Sequence, residues 1–172
     1  MDAIGLLRQQ VKDAHGWLDA TMQGITPQQL HWNPPGKANN IAACYAHVIL
    51  GEDAVIQMMV QGKPPLAATA FAGKVGLSEM PPQGDIGGWF DWGRRARLDL
   101  NAMRPYALAV AAATDACLAT LKEADLERKV QTPLGQQTLQ WAITGAVIGH
   151  LHDFTGEISC LKGLQGLTGY TA

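Results

Sequence analysis

Four long stretches of this chain place their apolar residues at three- and four-residue steps, and no stretch alternates apolar with polar residues. This confines the fold more than any other feature, because a side-chain period near 3.6 belongs to a helix and a period of 2 to a strand. The first stretch runs from about Asp2 to Met22, with Ile4, Leu7, Val11, Leu18 and Met22 on one face and His15 at its edge. The second starts at Asn39 or Asn40, either of which can cap a helix, and runs to about Gln61, where Gly62 and the Pro64-Pro65 pair stop it. The third begins near Arg104-Pro105, with the proline in the first turn, where its missing N–H costs least, and continues to about Lys122. The fourth runs from Thr138 to about Gly163. Strands are expected to be incidental at most. The expected class is all-α, a four-helix bundle with long crossover loops.

The connections carry their own signals. Thr26-Pro27-Gln28-Gln29 reads as a short capped turn inside the loop from Gly24 to Asn39. Leu66 to Gly88 is a long connection rich in Gly, Pro and Ala, a length that often serves function. Trp89, Phe90 and Trp92 open a short helix to about Asp99 and read as packing or a subunit contact. Ala124 to Thr138 is expected to be a loop.

At 172 residues the chain is most simply one domain over residues 1–172. Its net charge of −2 shows no broad basic surface, so neither nucleic acid nor a membrane is an expected partner. The cluster Arg94, Arg95 and Arg97 reads as a solvated helix face. The N-terminus has no signal-peptide pattern, and the most apolar segments are broken by His47, Glu52, Asp53 and Asp115, so none is a clean membrane span. Cys44, Cys117 and Cys160 are widely spaced in apolar helical contexts and read as reduced core thiols of a cytoplasmic protein.

Two histidines stand out. Measured at about 100° per residue, His47 shares a face with Ala43, Cys44, Leu50, Gly51 and Met58, which turns Glu52 and Asp53 toward water. His150 shares the inner side of the fourth helix with Ile143, Phe154, Glu157 and Leu161, while His152 points away. Neutral imidazoles on facing helices suit a divalent metal such as zinc or nickel. A catalytic zinc usually takes three protein ligands. The position one turn after His150 is Phe154, which cannot ligate. Asp153, three residues after His150, is the best substitute ligand by spacing, and Glu157 is a candidate ligand, general base or hydrogen-bond partner of a ligand. The alternative is that His47 and His150 simply bond in the core. A Cys44–His47 nucleophilic pair is geometrically open, but nothing nearby lowers the thiol pKa. No GxSxG, GxxxxGK[ST], HExxH or GxGxxG is present.

Three stretches together resemble the DinB/YfiT-like superfamily. They are Leu30 to Ile41 with Trp32-Asn33-Pro34, Ala46-His47-Val48 followed by Gly51-Glu52, and His150 to Ile158. The last is similar to a His-x-x-x-His-x-Gly-Gln-Ile pattern. The resemblance implies an up-down-down-up four-helix bundle, often homodimeric, with a three-histidine site for a divalent metal. His47 and His150 match two of those ligands, Phe154 stands in the third position, and Glu157 stands where glutamine is usual. Members include thiol-dependent transferases using bacillithiol or mycothiol, maleylpyruvate isomerase-like enzymes and hydrolases. Three functions remain open: a metal-dependent transferase or hydrolase acting on an unknown small molecule, a non-catalytic or small-molecule-binding member, and a homodimeric interaction protein.

Overall fold

The computed structural model describes residues 2–82 and 86–170. Helix α1 spans Ala3–Thr21, and Asp2 caps it by accepting the Gly5 N–H. Its stripe is buried as expected, with Ala14 added between Val11 and Leu18. The short α2 (Pro27–Leu30) is set by a capping box in which Thr26 and Gln29 satisfy each other's backbone N–H groups.

Helix α3 (Ile41–Asp53) is capped by Asn40, which accepts the Ala43 N–H and donates to Asn33 and to the Gly93 carbonyl. It continues as a π-helical segment, Ala54–Val60. A π turn closes i→i+5 and shifts the phase of the helix surface. Met58, expected on the His47 side, is therefore 54% exposed. The expectation for Glu52 and Asp53 is also corrected, because each is only 1% exposed. Ten of the thirteen α3 residues are buried, so this helix has no water-facing side for its acids. The span Ile41–Val60 is long and apolar enough to cross a membrane, but 72% of that window is buried inside the protein.

After Pro64-Pro65 a 3₁₀ turn (Leu66–Ala68) begins the long connection. Val75 returns to the core, and Leu77 forms an antiparallel bridge with Leu98. Residues 83–85 of the expected 66–88 loop lie outside the described residues. Helix α4 (Ile86–Arg95) follows. Helix α5 (Leu100–Ala119) starts earlier than expected, because Asp99 accepts the Asn101 N–H and caps it. Pro105 therefore sits inside the helix, and the carbonyl it cannot bond belongs to the exposed Asn101.

The expected loop from Ala124 to Thr138 holds a 3₁₀ turn (Glu123–Glu127) and a hairpin of β1 (Lys129–Thr132) and β2 (Gly135–Thr138). The strands are antiparallel, with Lys129 opposite Thr138 and Thr132 opposite Gly135. Gly135 supplies the positive φ of the turn, and the Thr132 hydroxyl donates to its carbonyl. Thr138 then caps α6 (Leu139–Ile143), which runs through a π segment (Thr144–Gly149) into α7 (His150–Leu164). The extra residue in that π segment moves the buried face of α7 one position on. Leu151, Thr155, Ile158 and Lys162 are buried, while His150 and Phe154 are half-buried and Glu157 is exposed. Cys44 and Cys117 are buried free thiols, but Cys160 is exposed, contrary to its expected core position.

The chain is mostly helical. Helix α1 packs on α5 and α7, α3 packs on the same two helices, and α4 lies across α3. Tyr45, Tyr106, Trp92, Leu18 and Ile49 are among the large side chains at the centre.

Candidate functional site

His47 and His150 meet where α3 passes α7. Their Nε2 atoms are 3.2 Å apart and the rings stand nearly perpendicular. One ring must donate and the other accept, so the accepting ring is neutral in this arrangement. Burial, and then the neighbouring His150, push the His47 pKa down to about 4. Burial also lowers His150, against the opposing pull of Asp153 and Glu157.

Aromatic side chains wall the pair. The Phe154 ring centroid lies 4.9 Å from that of His47 and 4.8 Å from that of His150. Trp89 stands edge-on to His47 at 4.7 Å, and Trp92 lies behind Trp89. The placement of Trp89 follows from one close approach. A Cβ on Gly93 would lie 2.8 Å from the Ala43 Cβ, so only glycine lets α4 touch α3 there. Trp89 is one turn before Gly93 and His47 one turn after Ala43, so that contact sets the indole against the imidazole. On the other side, the His150 ring lies over Gly51, where a Cβ would meet its Cε1 at 3.6 Å.

The two acids read as site residues are placed differently. Asp153 is exposed and reaches the pair only through its charge on His150. Glu157 accepts a hydrogen bond from the Cys44 Sγ at 3.3 Å. Burial first, then the Glu157 charge and this bond, raise the Cys44 pKa far above the ordinary thiol range, so Cys44 is no nucleophile. His152 is exposed and faces Trp17 and Tyr170, away from the pair.

The fit of a metal can be tested on the donor set. Two nitrogens each about 2.05 Å from one tetrahedral ion lie about 3.3 Å apart, close to the separation here. The spacing of the two imidazoles therefore suits a shared ion. At the position where the family resemblance implies a third ligand stands Phe154, whose ring has no donor atom, and Glu157 accepts the Cys44 thiol through Oε2. Among the described residues, no group of three or more His, Cys, Asp or Glu side chains is placed to hold an ion.

A second polar cluster, not anticipated from the sequence, lies inside the molecule. The buried Glu52 accepts a hydrogen bond from Thr114 and pairs with His15 Nε2 at 2.9 Å. Burial opposes the imidazolium of His15, but the bond and charge of Glu52, with Asp19 beyond, outweigh it and raise the pKa. Asp53 accepts the Leu66 and Ala67 N–H groups and the Tyr106 hydroxyl. The only sequence signal for this cluster was His15 at the edge of an apolar stripe.

Comparison with known proteins agrees with the helical architecture. The chain is similar to a solved structure of a conserved protein from Enterococcus faecalis, with a TM-score of 0.80 at 17% identity. That match covers 95% of this chain and 97% of the other, and at this identity it speaks for the fold alone. No curated protein matches the sequence. The family model of the DinB superfamily matches residues 10–157, so the chain belongs to the DinB superfamily.

Proposed function

We propose that this protein is a DinB-superfamily member whose inter-helix site works as a neutral, aromatic-walled histidine pair in a binding or structural role, not as a metal-dependent transferase or hydrolase. The observation that carries this reading is Phe154, whose ring touches both imidazoles from the position of the third ligand. The Cys44 thiol bond to Glu157 Oε2 supports it, since it turns that oxygen toward α3 and not toward a shared ion. In this reading the four long helical segments form one up-down-down-up bundle domain over residues 1–172. The protein is cytoplasmic and homodimeric, with the half-exposed Phe90 beside Trp89 at the subunit contact.

Metal analysis of the protein purified without a histidine tag tests the reading. The wild type is expected to hold well below one zinc or nickel per chain, and Phe154→His is expected to bring the ratio close to one. Stoichiometric metal in the wild type, lost in His47→Ala, sinks the proposal.

That outcome would favour a second reading, which rests on the 3.2 Å separation of the two Nε2 atoms. His47 and His150 would hold a divalent ion, with Asp153 or solvent completing its shell. Such an ion lowers the pKa of a bound water or thiol. Glu157 would release Cys44 to take up a proton there.

A further inference from the structure

The interior acids lead to a cavity that the histidine pair does not use. It has a volume of about 230 Å³ and lies between α1, α3 and α5. His15, with its Nε2 held by Glu52, forms part of the wall. Tyr45 is 2% exposed as a residue and lines the cavity, and its hydroxyl, bonded to no described residue, is not among the buried unpartnered atoms and is open to the cavity. Burial first, then the charge of Asp19, raise its pKa to about 12, so it is a phenol ready to donate.

Asp19 and Arg104 also line this cavity. Each is felt electrostatically by Tyr45, and Asp19 also feels Arg104. They do not meet. The ion pairs among the described residues are Arg8–Asp115, His15–Glu52 and Arg95–Glu79, and Arg104 and Asp19 are in none of them. Met22 and Ala107 give the same cavity an apolar floor. An acid and a guanidinium that line one cavity without pairing, together with a phenol and apolar side chains, match the two ends of a zwitterion.

We propose that this cavity binds a small zwitterion, an α-amino acid with an apolar side chain. Arg104 and the Tyr45 hydroxyl take the carboxylate, Asp19 takes the ammonium, and Met22 and Ala107 take the side chain. The site is independent of His47, His150 and Phe154.

Calorimetric titration of the intact chain with L-leucine tests this, with N-acetyl-L-leucine (no ammonium) and isopentylamine (no carboxylate) as comparisons. Saturable L-leucine binding is expected, tighter than either analogue by about tenfold or more, the usual worth of one charge-assisted bond. Arg104→Gln and Asp19→Asn are each expected to weaken it by a similar factor, and Phe154→Leu to leave it unchanged. Asp19 and Arg104 are exposed, so their variants should keep the wild-type melting temperature, which is measured alongside. L-Leucine binding weaker than about 10 mM overturns the proposal. So does equal binding of either analogue, or unchanged affinity in Arg104→Gln with the fold intact.

Discussion

At the scale of single residues, the molecule sets two kinds of histidine against each other. His15 is stabilised as a cation by the buried Glu52, so its folded pKa lies above its unfolded value. Its contribution to stability is therefore complete below about pH 6.5 and is lost as pH rises through the raised pKa. His47 and His150 have lowered pKa values, so theirs is complete above about pH 6.5; the His47 part is lost as pH falls toward 4, and the His150 part as pH falls through its own lowered pKa. The wild-type melting temperature is expected to fall on both sides of a maximum near neutrality. His15→Gln should flatten the alkaline limb and leave the acid limb in place, as read by thermal melts between pH 4 and 9. An alkaline limb unchanged in that variant would show that His15 is not its source. The sequence placed His15 at the edge of the apolar stripe, but it could not place Glu52 beside it. The two are 37 positions apart, on helices whose mutual orientation no local pattern encodes.

At the scale of elements, Asp53 is where a helix end and a crossover are joined. It accepts the two N–H groups that open the 3₁₀ turn after Pro64-Pro65, and it takes the Tyr106 hydroxyl from α5 at 2.8 Å. Asp53→Ala strands two backbone donors and a phenol in a site that is 1% exposed in the wild type. Each such group costs about 1–3 kcal/mol, so a loss of about 3 kcal/mol or more is expected in urea unfolding. A loss below about 1 kcal/mol would mean that water reaches these donors and that the crossover is not pinned there. Sequence periodicity put Asp53 on a wet face because it assumed a helix with one wet side. It also assumed a constant phase, and the π segments at Ala54–Val60 and Thr144–Gly149 break it on both histidine-bearing helices. A π turn leaves no composition mark, so the offset of His150 from the deepest face of α7 was not legible. The caps were, because Asp2, Thr26, Asn40 and Thr138 act through backbone groups two or three residues away.

At the scale of the whole molecule, distant helices are tied by a few polar bonds within an apolar core. The buried Lys162 amine on α7 donates to the Thr21 carbonyl at the C-terminal end of α1, where a cation also suits the helix dipole. The outer surface leaves Phe90, Trp17 and Tyr170 about half exposed. Self-association through Phe90 is expected to appear in sedimentation equilibrium as a mass that rises with concentration toward that of a dimer. Phe90→Ser should shift it toward the monomer, and a concentration-independent wild-type monomer would remove the homodimer from the proposed function.

The sequence by itself determined the helical class and the approximate spans of the long helices, and its resemblance to the DinB/YfiT-like pattern implied that His47 and His150 lie together. These follow from side-chain period, local capping and a motif whose residues lie on two helices. The same resemblance put Phe154 where the family's third ligand is expected. Only the tertiary structure decided that Phe154 and Trp89 close over the pair, that Glu157 is engaged by Cys44, and that Glu52 and Asp53 are interior. Each of those facts depends on which helix faces lie against each other. That is fixed by packing across the core, including the glycine contact of α4 on α3, and not by any local run of residues.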